Sequence, residues 1–446
     1  MRVKVLSRNS FDYARETKSD IHRIHRNLDP ALHQLESARE YQRAINAAKL
    51  ESVFAKPFVG SLSGHADGVY CMAKHPCRVS CFVSGSCDGE IRVWNLTRQR
   101  CMHKFSAHSG FVRGVVLNTT GQTIISVGDD QTIKYWPIES YNLTGSQEPL
   151  STVVGNMVFT GIDHHWTKPI FATSSSQVDI WDETRSEPLR SLVWGADGIS
   201  SVRFSPVERN ILASTGSDRS IALYDIRGVN PLRKVVLDMR SNSVTWNPME
   251  AFNFTAASED SNLYTFDMRR LDQALCVHMD HVGAVLDCDY APTGKEFVSG
   301  GFDRTIRIFP YNKGHSRDVY HTKRMQRVFC VKWTCDNKFV LSGSDETNIR
   351  LWKAQASEKL GSLAPRQRAA LDYSYKLKEK YKEHPQVRRI LRHRHVPKLV
   401  YKQGKEKKIM MLSRQRKQEN VRRHSKPDKL PSRQPERKKH IVSVVV

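Results

Sequence analysis

The chain has 446 residues, with 70 Lys and Arg against 46 Asp and Glu, a formal charge of +24. It is long enough to bury a sizeable core. No run of about 20 apolar residues exists to form a membrane-spanning helix, and the N-terminal MRVKVLSRNS lacks the apolar core of a secretory signal. The nine cysteines form no CxxC pair, so free thiols in a reducing compartment are expected, without a metal or other cofactor.

The charge is unevenly placed. From Lys353 onward 28 Lys and Arg face 8 Asp and Glu, a net +20; the first 352 residues hold 42 against 38, a net +4. That separation predicts a polyanionic partner for the C-terminal segment.

Residues 1–53 read as a polar arm, interrupted at Asp29-Pro30. Within it Ala38–Leu50 is predicted helical, with Tyr41, Ile45 and Ala48 at helical spacing. Phe54–Leu62 reads as a strand. Beyond it, short β-patterns end on Trp94, Trp136, Trp181, Tyr224, Phe266, Phe309 and Trp352, at intervals of 42, 45, 43, 42, 43 and 43 residues. Units of this length with about four strands each predict an all-β, seven-bladed propeller over residues 54–352. Phe54–Leu62 is then expected on the outer edge of the blade ending at Trp352, so that the ring closes without an open seam.

One polar set recurs in the blades. A Ser stands ten residues before the aromatic, an Asp six before it, and a His opens the blade: His65, Ser84, Asp88 and Trp94; His108, Ser126, Asp130 and Trp136; His281, Ser299 and Asp303. Repetition at fixed positions makes these buried structural networks rather than hydrolase triads. Asp88-Gly89 builds a tight turn, Gly tolerating a positive φ. Two blades depart from the pattern, with Ser175 and Glu346 at the Asp position. In His164-His165-Trp166 the two imidazoles point to opposite faces of a strand, so one packed and one exposed histidine are expected, with no shared metal.

After Trp352 the pattern turns helical: Arg366–Glu383, a short segment with Val387, Ile390 and Leu391, and Lys398 to about His424. Their apolar content is low, so they are expected to pack on a partner. Lys426–His440 reads as disordered, as does most of the last 20 or so residues, and the closing IVSVVV suits only an added edge strand. The resulting division is an arm at 1–53, a propeller at 54–352 and a basic helical tail at 353–446.

The GH, SGSCD and VW elements resemble WD40 repeats. The segments RETKSDIHRIHRNLDPALH, KLESVFAKPF, GIDHHW and YKLKEKYKEHPQVRRILRHRHVPK resemble the Sof family, WD40 proteins of the small-subunit processome. The resemblance spans essentially the whole chain. It implies a nucleolar, nuclear scaffold in small-subunit ribosomal RNA maturation. Its implied partners are pre-ribosomal RNA, the U3 small nucleolar ribonucleoprotein and other processome proteins, with no membrane and no small-molecule substrate. No phosphate-cradling loop or lone activated nucleophile argues for an enzyme.

Within the tail the candidate RNA contacts are Arg388, Arg389, Arg392, His393, Arg394, His395 and Lys398, a dense run flanking Ile390 and Leu391. Tyr373, Tyr375, Tyr381 and Tyr401 are candidates for base stacking, with helical packing the competing and favoured role for the first three. No RNA-recognition, KH or zinc-knuckle signature is visible, so backbone and shape are the expected readout. Asp225-Ile226-Arg227 and Asp267-Met268-Arg269 resemble the paired boxes with which WD40 receptors dock on a cullin-4 ligase adaptor. They support a second reading, substrate receptor of a cullin-4 ubiquitin ligase; an internal Arg–Asp pair is the competing role for each box.

Overall fold

The computed structural model describes residues 35–138, 148–194, 198–228, 230–426 and 434–445. The Asp29-Pro30 break and most of the arm lie outside them. The chain forms two compact units, each built from two stretches: Pro57–Ala354 with His395–Val446, and the chain to Lys56 with Gln355–Arg394.

The larger unit carries seven antiparallel sheets. The first blade comprises Val69–Lys74, Cys81–Ser86, Glu90–Asn95 and Arg100–Ser106. The last takes Val328–Trp333, Phe339–Ser344 and Ile349–Lys353, and completes itself with Phe58–Leu62 from the far end of the array, Phe58 opposite Trp352 and Leu62 opposite Ile349. Closure is therefore as the repeat predicts. The strand starts later than expected because the preceding helix runs on through Phe54. Pro57, with no N–H and a fixed φ, follows it, and its carbonyl accepts the Lys353 N–H at 2.8 Å.

All seven closing aromatics are buried. In six of the seven blades the turns before them share one geometry. Five residues ahead of the aromatic φ is positive at Gly89, Gln131, Arg219, Ser261, Arg304 and Thr347, and only the first of these is glycine. Side chains with a Cβ hold this strained region because the preceding carboxylate clamps the turn. Asp130 Oδ1 accepts the Thr132 N–H at 3.2 Å, Asp218 that of Ser220 at 3.0 Å, Asp260 that of Asn262 at 2.8 Å and Asp303 that of Thr305 at 3.1 Å. In the third blade Ser175 Oγ accepts the Gln177 N–H instead, at 3.4 Å. In the seventh, Glu346 is engaged by the Arg350 guanidinium.

The expected networks form, with one exception. His108 bridges Asp130 (2.8 Å) and Ser126 (2.8 Å), and Ser126 Oγ accepts the Trp136 indole N–H at 3.0 Å. His281 bridges Asp303 (2.9 Å) and Ser299 (2.7 Å). In the first blade Trp94, Ser84 and His65 are linked at 2.8 and 2.7 Å, but Asp88 turns to the backbone N–H groups of Glu90 and Ala66. His65 Nδ1 is left without a hydrogen bond.

The C-terminal segment was expected to lack order, and its described part does not. Glu436–Lys439 is a helical turn, and Ile441–Val445 adds a fifth strand to the outer edge of the fourth blade, with Lys234 opposite Val445 and Leu237 opposite Ile441. An exposed sheet edge supplies the free N–H and C=O groups that make this pairing favourable. Ile441 and Val444 pack on the blade core.

The smaller unit contains helices α1 (Glu36–Phe54), α2 (Pro365–Lys380) and α3 (Pro385–Arg392). A proline opens both α2 and α3, where a missing N–H costs nothing. The tail helices were expected to need an outside partner. They find one in their own chain: Ala44, Ile45 and Ala48 of α1 form a core with Leu377, Tyr381 and Val387, joined by Ile390 and Leu391. Glu40 closes it, accepting from Lys380 Nζ at 2.6 Å and the Tyr381 hydroxyl at 2.9 Å.

Ser126→Ala strips partners from both a buried imidazole and a buried indole, so urea denaturation is expected to register a loss of about 2–4 kcal/mol. Acid is expected to weaken the ring as well. Burial pushes His278 from 6.5 down to about 4, and burial aided by Arg92 does the same to His65. The unfolded chain gains these protons as pH falls through about 6.5 while the folded chain resists them until about 4, so stability drops across that window by up to roughly 3 kcal/mol per histidine. Melting curves at pH 7 and pH 4.5 check this; equal midpoints contradict it.

Candidate nucleic-acid and partner interfaces

The Ser, His and Asp sets offer no accessible nucleophile. Ser84, Ser126 and Ser299 are fully buried, and in the first two blades the Oγ accepts an indole N–H. Among the described residues one His/Asp/Glu group has its ligand atoms within 4.8 Å of one another: His65, Asp88 and Glu90. Glu90 Oε2 already takes a fork from Arg92, at 2.9 and 2.8 Å.

His164-His165-Trp166 departs from expectation. Both imidazoles are buried, and Trp166 is the exposed member at 62%. His164 bonds Glu183 at 2.6 Å. His165 Nδ1 accepts the N–H groups of Thr167 and Lys168, both at 3.0 Å, and Nε2 donates to the Arg209 carbonyl of the next blade at 2.6 Å. The strand ends at His164, and the loop turns His165 inward to satisfy its own backbone. Strand alternation could not anticipate that, nor the exposed indole of Trp166 beside it.

The two boxes are near copies. Arg227 forks onto Asp225, Nε to Oδ1 at 3.2 Å and Nη2 to Oδ2 at 3.0 Å; Arg269 forks onto Asp267 at 3.1 and 2.9 Å. In each the carboxylate also accepts the arginine's own N–H at 2.9 Å. The guanidinium holds both aspartates below their ordinary range, with backbone N–H bonds adding to it; for Asp267 these outweigh a larger opposing effect of burial. The internal pair does not bury the arginines, whose side chains are 73% and 61% exposed. Arg190 from the third blade and Arg233 from the fourth donate to the backbone carbonyls of Arg227 and Arg269, gripping successive boxes alike. These loops follow the third strand of their blades. Loops after first strands emerge on the same face, and there Trp166, Val207 and Met249 stand exposed on consecutive blades.

The predicted RNA cluster is divided. Arg388, Arg389 and Arg392 are exposed on α3, behind the buried Val387. His393 is exposed beyond its end, and Arg394 turns back onto the carbonyls of Leu391 (2.5 Å) and His393 (3.0 Å). His395 and Lys398 belong to the propeller unit, where the His395 ring stacks on His321 at 5.2 Å. Of the candidate stacking tyrosines, Tyr381 is buried in the helical core, whereas Tyr373, Tyr375 and Tyr401 are exposed.

Lys398 opens helix α4 (Lys398–His424). Val400 is buried and Gly404 is half-buried, a Cβ there lying 3.8 Å from Val282. Lys407 then reaches Ser261 Oγ and the His281 carbonyl. From Lys408 to His424 every residue is exposed.

Comparison with known proteins finds two matching family models. A Sof1-like domain matches residues 354–441, and the WD domain, G-beta repeat matches 56–95, 99–137, 186–225, 274–309 and 313–353. Similar proteins include "DDB1- and CUL4-associated factor 13" of Xenopus laevis, 59% identical with all of both chains covered, and that of Homo sapiens, 58% identical with the same coverage. "Protein SOF1" of Saccharomyces cerevisiae is 43% identical, covering all of this chain and 95% of the yeast protein.

Proposed function

The chain belongs to the Sof1-like family of WD40 proteins, and from that premise we propose that it is a non-catalytic scaffold of the small-subunit processome. In this reading it works in the nucleolus, in 18S ribosomal RNA maturation, beside pre-ribosomal RNA, the U3 ribonucleoprotein and neighbouring processome proteins. The observation that carries it is the charge separation: a net +20 beyond residue 352 against +4 before it. A nearly neutral ring supplies shape and protein-binding faces. The cationic segments neutralise phosphate and release counterions, which is affinity without base readout. Neighbouring proteins set the register.

A second role rests on its own observation. The Asp225–Arg227 and Asp267–Arg269 boxes repeat one geometry on adjacent blades, with forked guanidinium groups left in solvent. Such groups suit bidentate recognition of a partner's carboxylates or carbonyls. Two of the three relatives named above carry DDB1 and CUL4 association in their names. We take these boxes as the docking site for a cullin-4 ligase adaptor, a role that coexists with the scaffold.

Reversing Arg388, Arg389, Arg392 and Arg394 to Glu is expected to abolish co-sedimentation with pre-ribosomes; unchanged sedimentation removes the cluster from the RNA interface. Arg227→Ala with Arg269→Ala is expected to leave the melting temperature nearly unchanged, since exposed ion pairs are worth about 0–1 kcal/mol. The same double variant is expected to lose ligase co-purification while 18S processing continues. Retained co-purification rules out these boxes as the adaptor site.

A further inference from the structure

Every residue of the Lys408–His424 half of α4 is exposed, yet both of its flanks are pinned to the propeller. On one side Lys407 is held by Ser261 and His281, between the fifth and sixth blades. On the other, the chain returns to the Ile441–Val445 strand, and the Arg437 carbonyl accepts the Ala274 N–H of the fifth blade at 3.0 Å. Seventeen residues of helix are thus presented from a fixed base, about 25 Å at 1.5 Å per residue.

Its side chains are distributed unlike those of a core-facing helix. Lys408, Arg414, Arg416, Lys417, Arg422 and Arg423 face a single acid, Glu419. At 100° per residue the six cations lie all around the axis, and Ile409, Met410, Leu412 and Val421 are interspersed among them, all exposed. A helix with one apolar stripe docks by that stripe. One with cations on every side is matched by a ligand that surrounds it with negative charge.

We propose that residues 408–424 form a second nucleic-acid contact, a helix that inserts against folded RNA and is enclosed by its phosphate backbone. This rests on the RNA-scaffold reading above, but assigns the contact to an element distinct from the Arg388–Arg394 cluster. The two belong to different units, so the chain grips RNA twice. The pinned flanks pre-organise the helix, which lowers the ordering cost that a free basic tail would meet on binding. The exposed methionine and aliphatic side chains lie between cations, where they cover sugar and base edges once phosphates are engaged.

The test uses the full-length chain and a fluorescently labelled, structured RNA hairpin. All six cations are changed to Gln, and affinity is measured across a salt series. Because these side chains are exposed, thermal melting is expected to match the wild type. Affinity should fall at least tenfold near physiological salt, and the slope of log K against log salt should become shallower by about 3 or more, as loss of several phosphate contacts requires. Ile409→Ala, Met410→Ala and Leu412→Ala together should keep the steep slope. Wild-type affinity and slope in the Gln variant overturn the proposal, as does loss of those properties in the apolar variant alone. Two results separate it from the reading on which it rests. If charge reversal at Arg388–Arg394 abolishes binding while the Gln variant behaves as wild type, this inference fails alone. If the wild-type chain shows no salt-dependent RNA binding, the scaffold reading falls first.

Discussion

Ring closure is the constraint on which the rest depends. Pairing of Phe58–Leu62 with Ile349–Lys353 removes the open seam that a linear array of blades would expose. It also brings together chain segments almost 300 residues apart in sequence. The stretches just outside that strand pair are α1 on one side and α2 with α3 on the other. Neither has enough apolar surface to fold alone, and together they bury Ala44, Ile45, Ala48, Leu377, Tyr381 and Val387 in one core. The second unit is thus one that no continuous stretch encodes.

Inside the ring the polar networks set how tightly each blade is specified. Where Asp, His, Ser and Trp all meet, as at His108 and Asp130, every buried donor has an acceptor. Where one member turns away, as Asp88 does, a buried nitrogen is left unpaired. The carboxylate has two tasks, clamping a turn with positive φ and holding an imidazole. The clamp is the more general, occurring at Asp218 and Asp260 in blades whose closing residues are Tyr224 and Phe266. Turn geometry is therefore the basic requirement, and the histidine network is an addition found in blades closed by Trp136 and by Phe309 alike.

The fold was legible because its signal repeats. Seven aromatics at nearly constant spacing reveal blade number, order and the need for closure, and the helix expected from Lys398 to His424 has those limits. Features without repetition were harder to read. His165 is buried because a loop carbonyl on the next blade and its own backbone need it, a tertiary fact that strand alternation misses. The tail helices seemed to need an outside partner because their counterpart, Ala44–Ala48, lies more than 300 residues earlier in sequence. IVSVVV was recognisable as an edge strand, but which of the blade edges it joins is a matter of chain path. Charge pointed to the cationic end of the chain, though not to its division between two bodies.

Shape is the task proposed for an almost neutral ring, and nucleic-acid contact that proposed for the cationic helices outside it. Ultraviolet crosslinking of the native full-length protein to RNA in purified pre-ribosomes, with crosslinked peptides identified by mass spectrometry, tests that assignment most directly. Adducts are expected to concentrate between Arg388 and His424, with few on the seven blades. Adducts spread over the blade loops, with none in that interval, would contradict it.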